Sequence, residues 1–244
     1  MGYWQNTLNN KIAELPNTVK TATAFLSKNS SWLNQYKGGM PIGFFAAIAA
    51  LESNAKMIEG DPNLGEFGYY QIAAKTPTEL GLSSELRKSP EGNIFLAGVE
   101  YNIEAKRLAL KYPNLIQEGT IDQWKMARLV FAIGRYGTDT CINLANPTVK
   151  GDVFGAIERW ADATGATSIG SSEADKIWYR IKAVSHVAWA AGRLTVPHQH
   201  VGVPVKPPAP RGMSYRLPAD VANHLHEDKS TLFLLAGALV ILAL

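Results

Sequence analysis

From Tyr3 to about Leu194 the apolar residues recur at spacings of three and four, as in "TVKTATAFLSKNSSWL", "IFLAGVEYNIEAKRLAL", "WKMARLVFAIGRYG" and "IWYRIKAVSHVAWAAGRL". Strict alternation is nearly absent. Residues three and four apart share one side of an α-helix, so this period predicts a mainly α fold with little or no β. The interruptions, "GDPNLGEFGYY" and "NPTVKGD", carry the Gly, Pro and Asn of loops. With 46% hydrophobic and 18% charged residues in 244, the chain can bury a sizeable core and is not a disordered one. No internal repeat interrupts the pattern.

After Leu194 the composition changes. Five prolines between Pro197 and Pro210, and a sixth at Pro218, favour an extended linker over 196–218. The polar "ADVANHLHEDKS" then leads into the uncharged "TLFLLAGALVILAL", Thr231 to Leu244. As a helix that run reaches about 21 Å at about 1.5 Å per residue, short of the about 30 Å of bilayer hydrocarbon. It is read either as a helix packing on the body or a partner chain, or as a membrane anchor in a thinned bilayer, which the spacer favours. The N-terminus lacks the positive and apolar regions of a secretory signal, so signal-dependent export is not expected.

A formal charge of +3 is too weak to argue for nucleic acid. Cys141 is the single cysteine, so no intramolecular disulfide forms. No Cys/His cluster has zinc spacing, and His198, His200, His224 and His226 read as solvated; no metal is expected.

The most informative stretch is "GGMPIGFFAAIAALESN". Pro41 suits the first helical position. Phe44, Ile48 and Leu51 fall on one face with Phe45 at its flank, and Glu52 comes four residues after Ile48, at the border of the apolar stripe. It stands near the end of the helix, because "SNA" and "EGDPNLG" are poor helix material. Partial burial and the negative end of the helix dipole both disfavour the charged carboxylate, which suits a general acid. The plainer reading is a glutamate that turns to solvent or pairs with Lys56 at i+4.

From Glu52 onward the chain resembles the soluble lytic transglycosylase family of the lysozyme-like superfamily. The resemblance rests on "ES", on "GEFGYYQI" with its Gln71 nineteen residues beyond Glu52, on "TPTELGL", and on the helix "SPEGNIFLAGVEYNIEAKRLALKYP" with its Pro, Asn-Ile, Gly and Tyr. It covers roughly residues 35 to 140. It implies a mainly α, lysozyme-like (goose-type or transglycosylase-like) domain at 35–145. A helical segment at 1–34 would precede it, further helices at 146–195 would brace it, and the linker at 196–218 and the segment 219–244 would complete the chain.

Carried over residue by residue, the resemblance implies Glu52 as the catalytic acid/base, Ser53 as its positioning neighbour, Gly68 as the tight turn and Gln71 as a lining of the glycan cleft. Tyr69 and Tyr70 replace the family's usual Leu-Met and either stack on sugar or pack in the core. The family's Ala-Tyr-Asn-x-Gly motif is altered in "LVFAIGRYGTDT". Gly134 or Gly137 can serve as its glycine, and Tyr136 is the aromatic hydroxyl offered to substrate.

The implied reaction needs no cofactor. One glutamic acid protonates the glycosidic oxygen between N-acetylmuramic acid and N-acetylglucosamine. As carboxylate it then takes the proton of the muramoyl C6 hydroxyl, which attacks C1 and leaves a 1,6-anhydro end. A hydrolytic muramidase would use a second carboxylate, and Glu59, Asp61 and Glu66 in the adjoining loop are the candidates. A non-catalytic glycan-binding or virion structural protein is the third reading, motivated by the altered motif. The expected partners are peptidoglycan strands, a membrane through Thr231 to Leu244, and other virion proteins. The expected setting is a bacteriophage particle whose enzyme opens the wall locally, with a host-encoded, membrane-tethered wall-remodelling enzyme as the alternative.

Overall fold

The computed structural model describes residues 3–166 and 174–194. The linker and apolar segment expected over 196–244, with Thr231 to Leu244, lie outside the described residues. Within them the fold is all-α: α1 (Tyr3–Tyr36), α2 (Ile42–Ser53), the single turn α3 (Thr76–Glu79), a 3-10 turn (Ser84–Lys88), α4 (Pro90–Lys111), α5 (Ile121–Ala145), α6 (Val153–Thr164) and α7 (Ala174–Ala191). None of the described helices is long and apolar enough to cross a membrane.

The starts of these helices are written locally. Ser89 caps α4, its Oγ accepting the Gly92 N–H at 3.1 Å with Pro90 at the first helical position. Thr120 caps α5 through the Gln123 N–H, while the Gln123 side chain accepts the Gly119 N–H at 2.8 Å, close to a capping box. The cap of α6 is tertiary: the buried carboxylate of Asp122, from α5, accepts the N–H groups of Val153 and Phe154 at 3.0 and 2.9 Å. α5 is broken at Gly134, whose φ of 76° and ψ of 167° only glycine adopts readily.

α2 forms the centre. Every residue from Phe44 to Ala50 is buried, so the helix has no solvent face, and the expected one-sided stripe is corrected. A helix apolar all round belongs in the middle of a packed body; α1 and α7 pack on it, and α4, α5 and the loop after α2 complete the first core. Pro41 is the residue before the helix and not its first member. A second core lies among α5, α6, α7 and the end of α4, around Leu108, Leu129, Phe154, Ile157 and Ile181. α4, α5 and α7 each contribute to both cores, so the stretches 1–34, 35–145 and 146–194 interlock as far as they are described.

Between α2 and α3 the chain forms a small hairpin-like clasp. Two isolated antiparallel bridges, Glu59 with Phe67 and Phe67 with Ile72, stand in place of a strand.

Candidate active site

Glu52 is brought to its place by the way α2 ends. Asn54 and Ala55 both take left-handed conformations, φ 53° and 54°, and their N–H groups close on Ala50 O and Ala49 O at 3.1 and 3.0 Å. Two left-handed residues turn the chain off the helix axis immediately after Ser53. Lys56 therefore no longer sits one turn above Glu52, and it is exposed. The i+4 pairing does not form.

The partner of Glu52 comes from far along the chain. Its carboxylate is ion-paired with the guanidinium of Arg128 on α5. The Arg128 side chain is 5% exposed and that of Glu52 19%, so the pair is closed on the protein side and open to solvent through the glutamate. Burial alone lowers the pKa of Arg128; the charge of Glu52 and the contact with Tyr101 outweigh it and the net direction is up. The guanidinium carbon stands 5.4 Å from the centre of the Phe131 ring, which stacks on Tyr101 at 5.2 Å. The Tyr101 hydroxyl adjoins the guanidinium without meeting it in hydrogen-bond geometry, and Arg128 Nε is buried without an acceptor. Desolvation raises the pKa of Tyr101, leaving a neutral phenol beside the pair.

Ser53 joins α2 to the clasp. Its one hydroxyl proton faces Tyr69 O at 2.9 Å and Ala49 O at 3.2 Å, and its oxygen accepts the Lys56 N–H. Gly68, at φ 89°, packs against the side chain of Asn93, and a Cβ there would collide with it. Asn93 is fully buried at the start of α4. Its Oδ1 accepts the Tyr70 N–H at 3.1 Å, and its Nδ2 donates to Phe67 O and Arg87 O at 2.9 and 3.1 Å.

The expected cleft residues divide. Tyr70 is corrected to a core residue: wholly buried, stacked on Phe45 at 4.7 Å, its hydroxyl donating to Phe45 O. Tyr69 is nearly as buried, edge-on to Phe25 at 4.8 Å, and desolvation raises its pKa. Gln71 is corrected from cleft lining to clasp. Its amide donates to Gly68 O at 2.8 Å and Ile58 O at 3.3 Å, and its φ of 52° turns the side chain back over Gly60. Tyr136 is 86% exposed beyond the Gly134 break, and no described contact ties its side chain to the Glu52 group. Of the two candidate glycines, Gly134 carries the positive φ at the break in α5, whereas Gly137 is helical.

Glu66, on the clasp, is the second carboxyl to feel this site. Desolvation raises its pKa first; the Asp61 N–H opposes that, and the negative charge of Glu52 adds to it. Arg180 of α7 acts on Glu66 in the lowering direction. Arg128, Tyr101 and Asn93 received no role from the sequence alone. Their signal was present in part: Arg128 is the one charge within "MARLVFAI", as Glu52 is in "AAIAALES".

A concavity of about 350 Å³ lies elsewhere, against α6, lined by Asn146, Val149, Asp152, Arg159 and Trp160 among others and by none of the expected site residues. No group of three or more His, Cys, Asp or Glu side chains able to hold a metal occurs among the described residues. Compared with protein-family models, curated proteins and solved structures, the chain matches none.

Proposed function

We propose that the chain is a peptidoglycan lytic transglycosylase of the lysozyme-like class, with Glu52 as its single acid/base. One observation carries the reading. Three stretches named by the resemblance, Glu-Ser, the Gly-Tyr-Tyr-Gln-Ile turn and the Asn-Ile helix, are joined by side-chain hydrogen bonds: Ser53 donates to Tyr69 O, Asn93 donates to Phe67 O, and Asn93 accepts the Tyr70 N–H. These bonds cross 16 to 26 residues of chain, and they stand next to a carboxylate open to solvent on one side. The buried α2 gives that carboxylate a rigid base, as positioning for proton transfer requires.

In the reaction, the Glu52 carboxyl gives its proton to the glycosidic oxygen as the C1–O bond breaks. The resulting carboxylate takes the proton of the muramoyl C6 hydroxyl as its oxygen bonds to C1. Digestion of purified sacculi by wild type and by Glu52→Gln, with mass spectrometry of the products, tests the reading. The expected result is 1,6-anhydro ends from the wild type and a loss of about 10²- to 10⁴-fold in the variant. Equal activity of the two proteins overturns it.

The interaction of Glu66 with Glu52 favours a second reading, hydrolysis by a carboxyl pair. Reducing ends in the same digest, lost in Glu66→Gln, would establish it in place of the first. The proposed setting is a phage particle, with 231–244 as its membrane attachment. Mass spectrometry of purified virions finds the chain if that is so.

A further inference from the structure

A general acid needs its proton, yet Glu52 stands in contact with a permanently charged guanidinium. The pair is not a surface accident. Arg128 is almost wholly buried, lies over the Phe131 ring, which stacks on Tyr101, and has no carboxylate other than Glu52 in its described ion pairs. A lone buried cation is costly, so this arrangement persists only with the glutamate in place.

We propose that Arg128 is the positioning residue of the Glu52 site, holding the carboxyl in one orientation and stabilising the negative charge that appears on it when the glycosidic oxygen takes its proton. The inference rests on the transglycosylase reading and adds to it how one carboxyl serves both halves of the reaction. In the first half Glu52 passes from neutral to anionic, so a fixed cation beside it stabilises the transition state more than the ground state. In the second half the carboxylate must already exist to take the C6 hydroxyl proton, and the same cation keeps it oriented.

The charged and titratable groups around Glu52 come from four elements: Arg128 on α5, Tyr101 on α4, Glu66 on the clasp, and Arg180 of α7 acting through Glu66. Of these, Arg128 makes the direct ion pair. The altered "LVFAIGRYG" motif gains a role on this account. With Gly134 as its glycine, Phe131 falls where the family has tyrosine and Ala132 where it has asparagine. Arg128, one turn earlier on the same helix, takes up the contact with the catalytic carboxyl.

Two readouts on wild type, Arg128→Met and Arg128→Lys test the proposal: the pH–rate profile of sacculus digestion, and a ¹³C NMR titration of the Glu52 carboxyl, assigned by its loss in Glu52→Gln. In Arg128→Met the alkaline limb should move to higher pH, and the pH response of the Glu52 carbon signal should move with it. Below the limb, kcat should fall about 10- to 100-fold. Arg128→Lys should return the limb to its wild-type position while recovering kcat only in part, because an ammonium lacks the planar fork. A limb and a carbon response that stay put in Arg128→Met overturn the inference. A wild type that digests nothing sinks the reaction reading, while the titration still decides whether Arg128 governs the charge of Glu52. Should Arg128→Met not fold, Arg128→Lys decides alone: unchanged kcat overturns the proposal and a reduced kcat with an unmoved limb upholds it.

Discussion

Glu100 is the residue whose charge the fold penalises most plainly. It precedes Tyr101 on α4, and one carboxylate oxygen is buried without a hydrogen-bond partner. Desolvation, then the charges of Glu104 and Glu79, raise its pKa from 4.5 to about 7, partly offset by Arg135 and Lys75. The folded protein therefore holds a proton that the unfolded chain releases between pH 4.5 and about 7. This contribution is fully present below the lower value and is lost as pH rises through the upper one. Glu100→Gln keeps the shape and removes the titration. Relative to wild type it should gain on the order of 2 kcal/mol more in unfolding free energy at pH 8 than at pH 4, read from urea titrations at the two pH values. A constant difference between the two proteins would mean that Glu100 is solvated as readily in the folded as in the unfolded state. Glu104, four residues on, meets the opposite environment, bonded by Arg107 at 2.7 Å and by Arg135 at 2.6 and 2.9 Å. Adjacent turns of one helix thus carry a paired carboxylate and an unpaired one. Their sequence context, "VEYNIEAKR", gives no hint of which is which.

At the scale of elements, the break in α5 has the largest structural consequence. Gly134 directs the second half of the helix so that Arg135 reaches Glu104 on α4, while Asp139 meets Lys111 at 2.6 Å and Tyr112 at 2.9 Å. A Cβ at Gly134 would meet nothing within 4 Å, so the cost of Gly134→Ala is confined to the backbone. It should be about 1–3 kcal/mol, seen as a lowered urea midpoint. Gly137→Ala is the control. The backbone there is helical and alanine gains helix propensity, while Ile133 stands 3.3 Å from the new methyl, so the net change should be near zero. Equal losses at the two glycines would contradict the assignment of the break to Gly134. The end of α2 makes the same point on a shorter length. Ser53, Asn54 and Ala55 looked like poor helix material, and the helix does stop there. Two consecutive left-handed residues then decide the direction of the exit, and with it the loss of the Glu52–Lys56 pairing.

For the whole molecule, the two cores are coupled because α4, α5 and α7 run through both. Ile181, fully buried on α7, belongs to the second core, whereas Val187 and Ala190 of the same helix pack in the first. Ile181→Ala should cost about 2–5 kcal/mol. Far-UV circular dichroism and tryptophan fluorescence should still report one coincident transition; Trp124 reads the first core and Trp160 and Trp178 flank the second. Separate transitions would mean that the cores unfold independently. The sequence by itself determined the helical class, the alanine-rich helix α2, the loops at Gly, Pro and Asn, and a carboxylate at the edge of an apolar run, because each is encoded within a few turns of chain. Only the tertiary structure decided that Glu52 meets Arg128, 76 residues away. It also turned Tyr70 and Gln71 inward, left Tyr136 in solvent, and selected Gly134 as the break. Periodicity fixes which face of a helix is apolar; which distant side chain fills the space against that face is settled by packing, where volume, charge and backbone direction must agree at once.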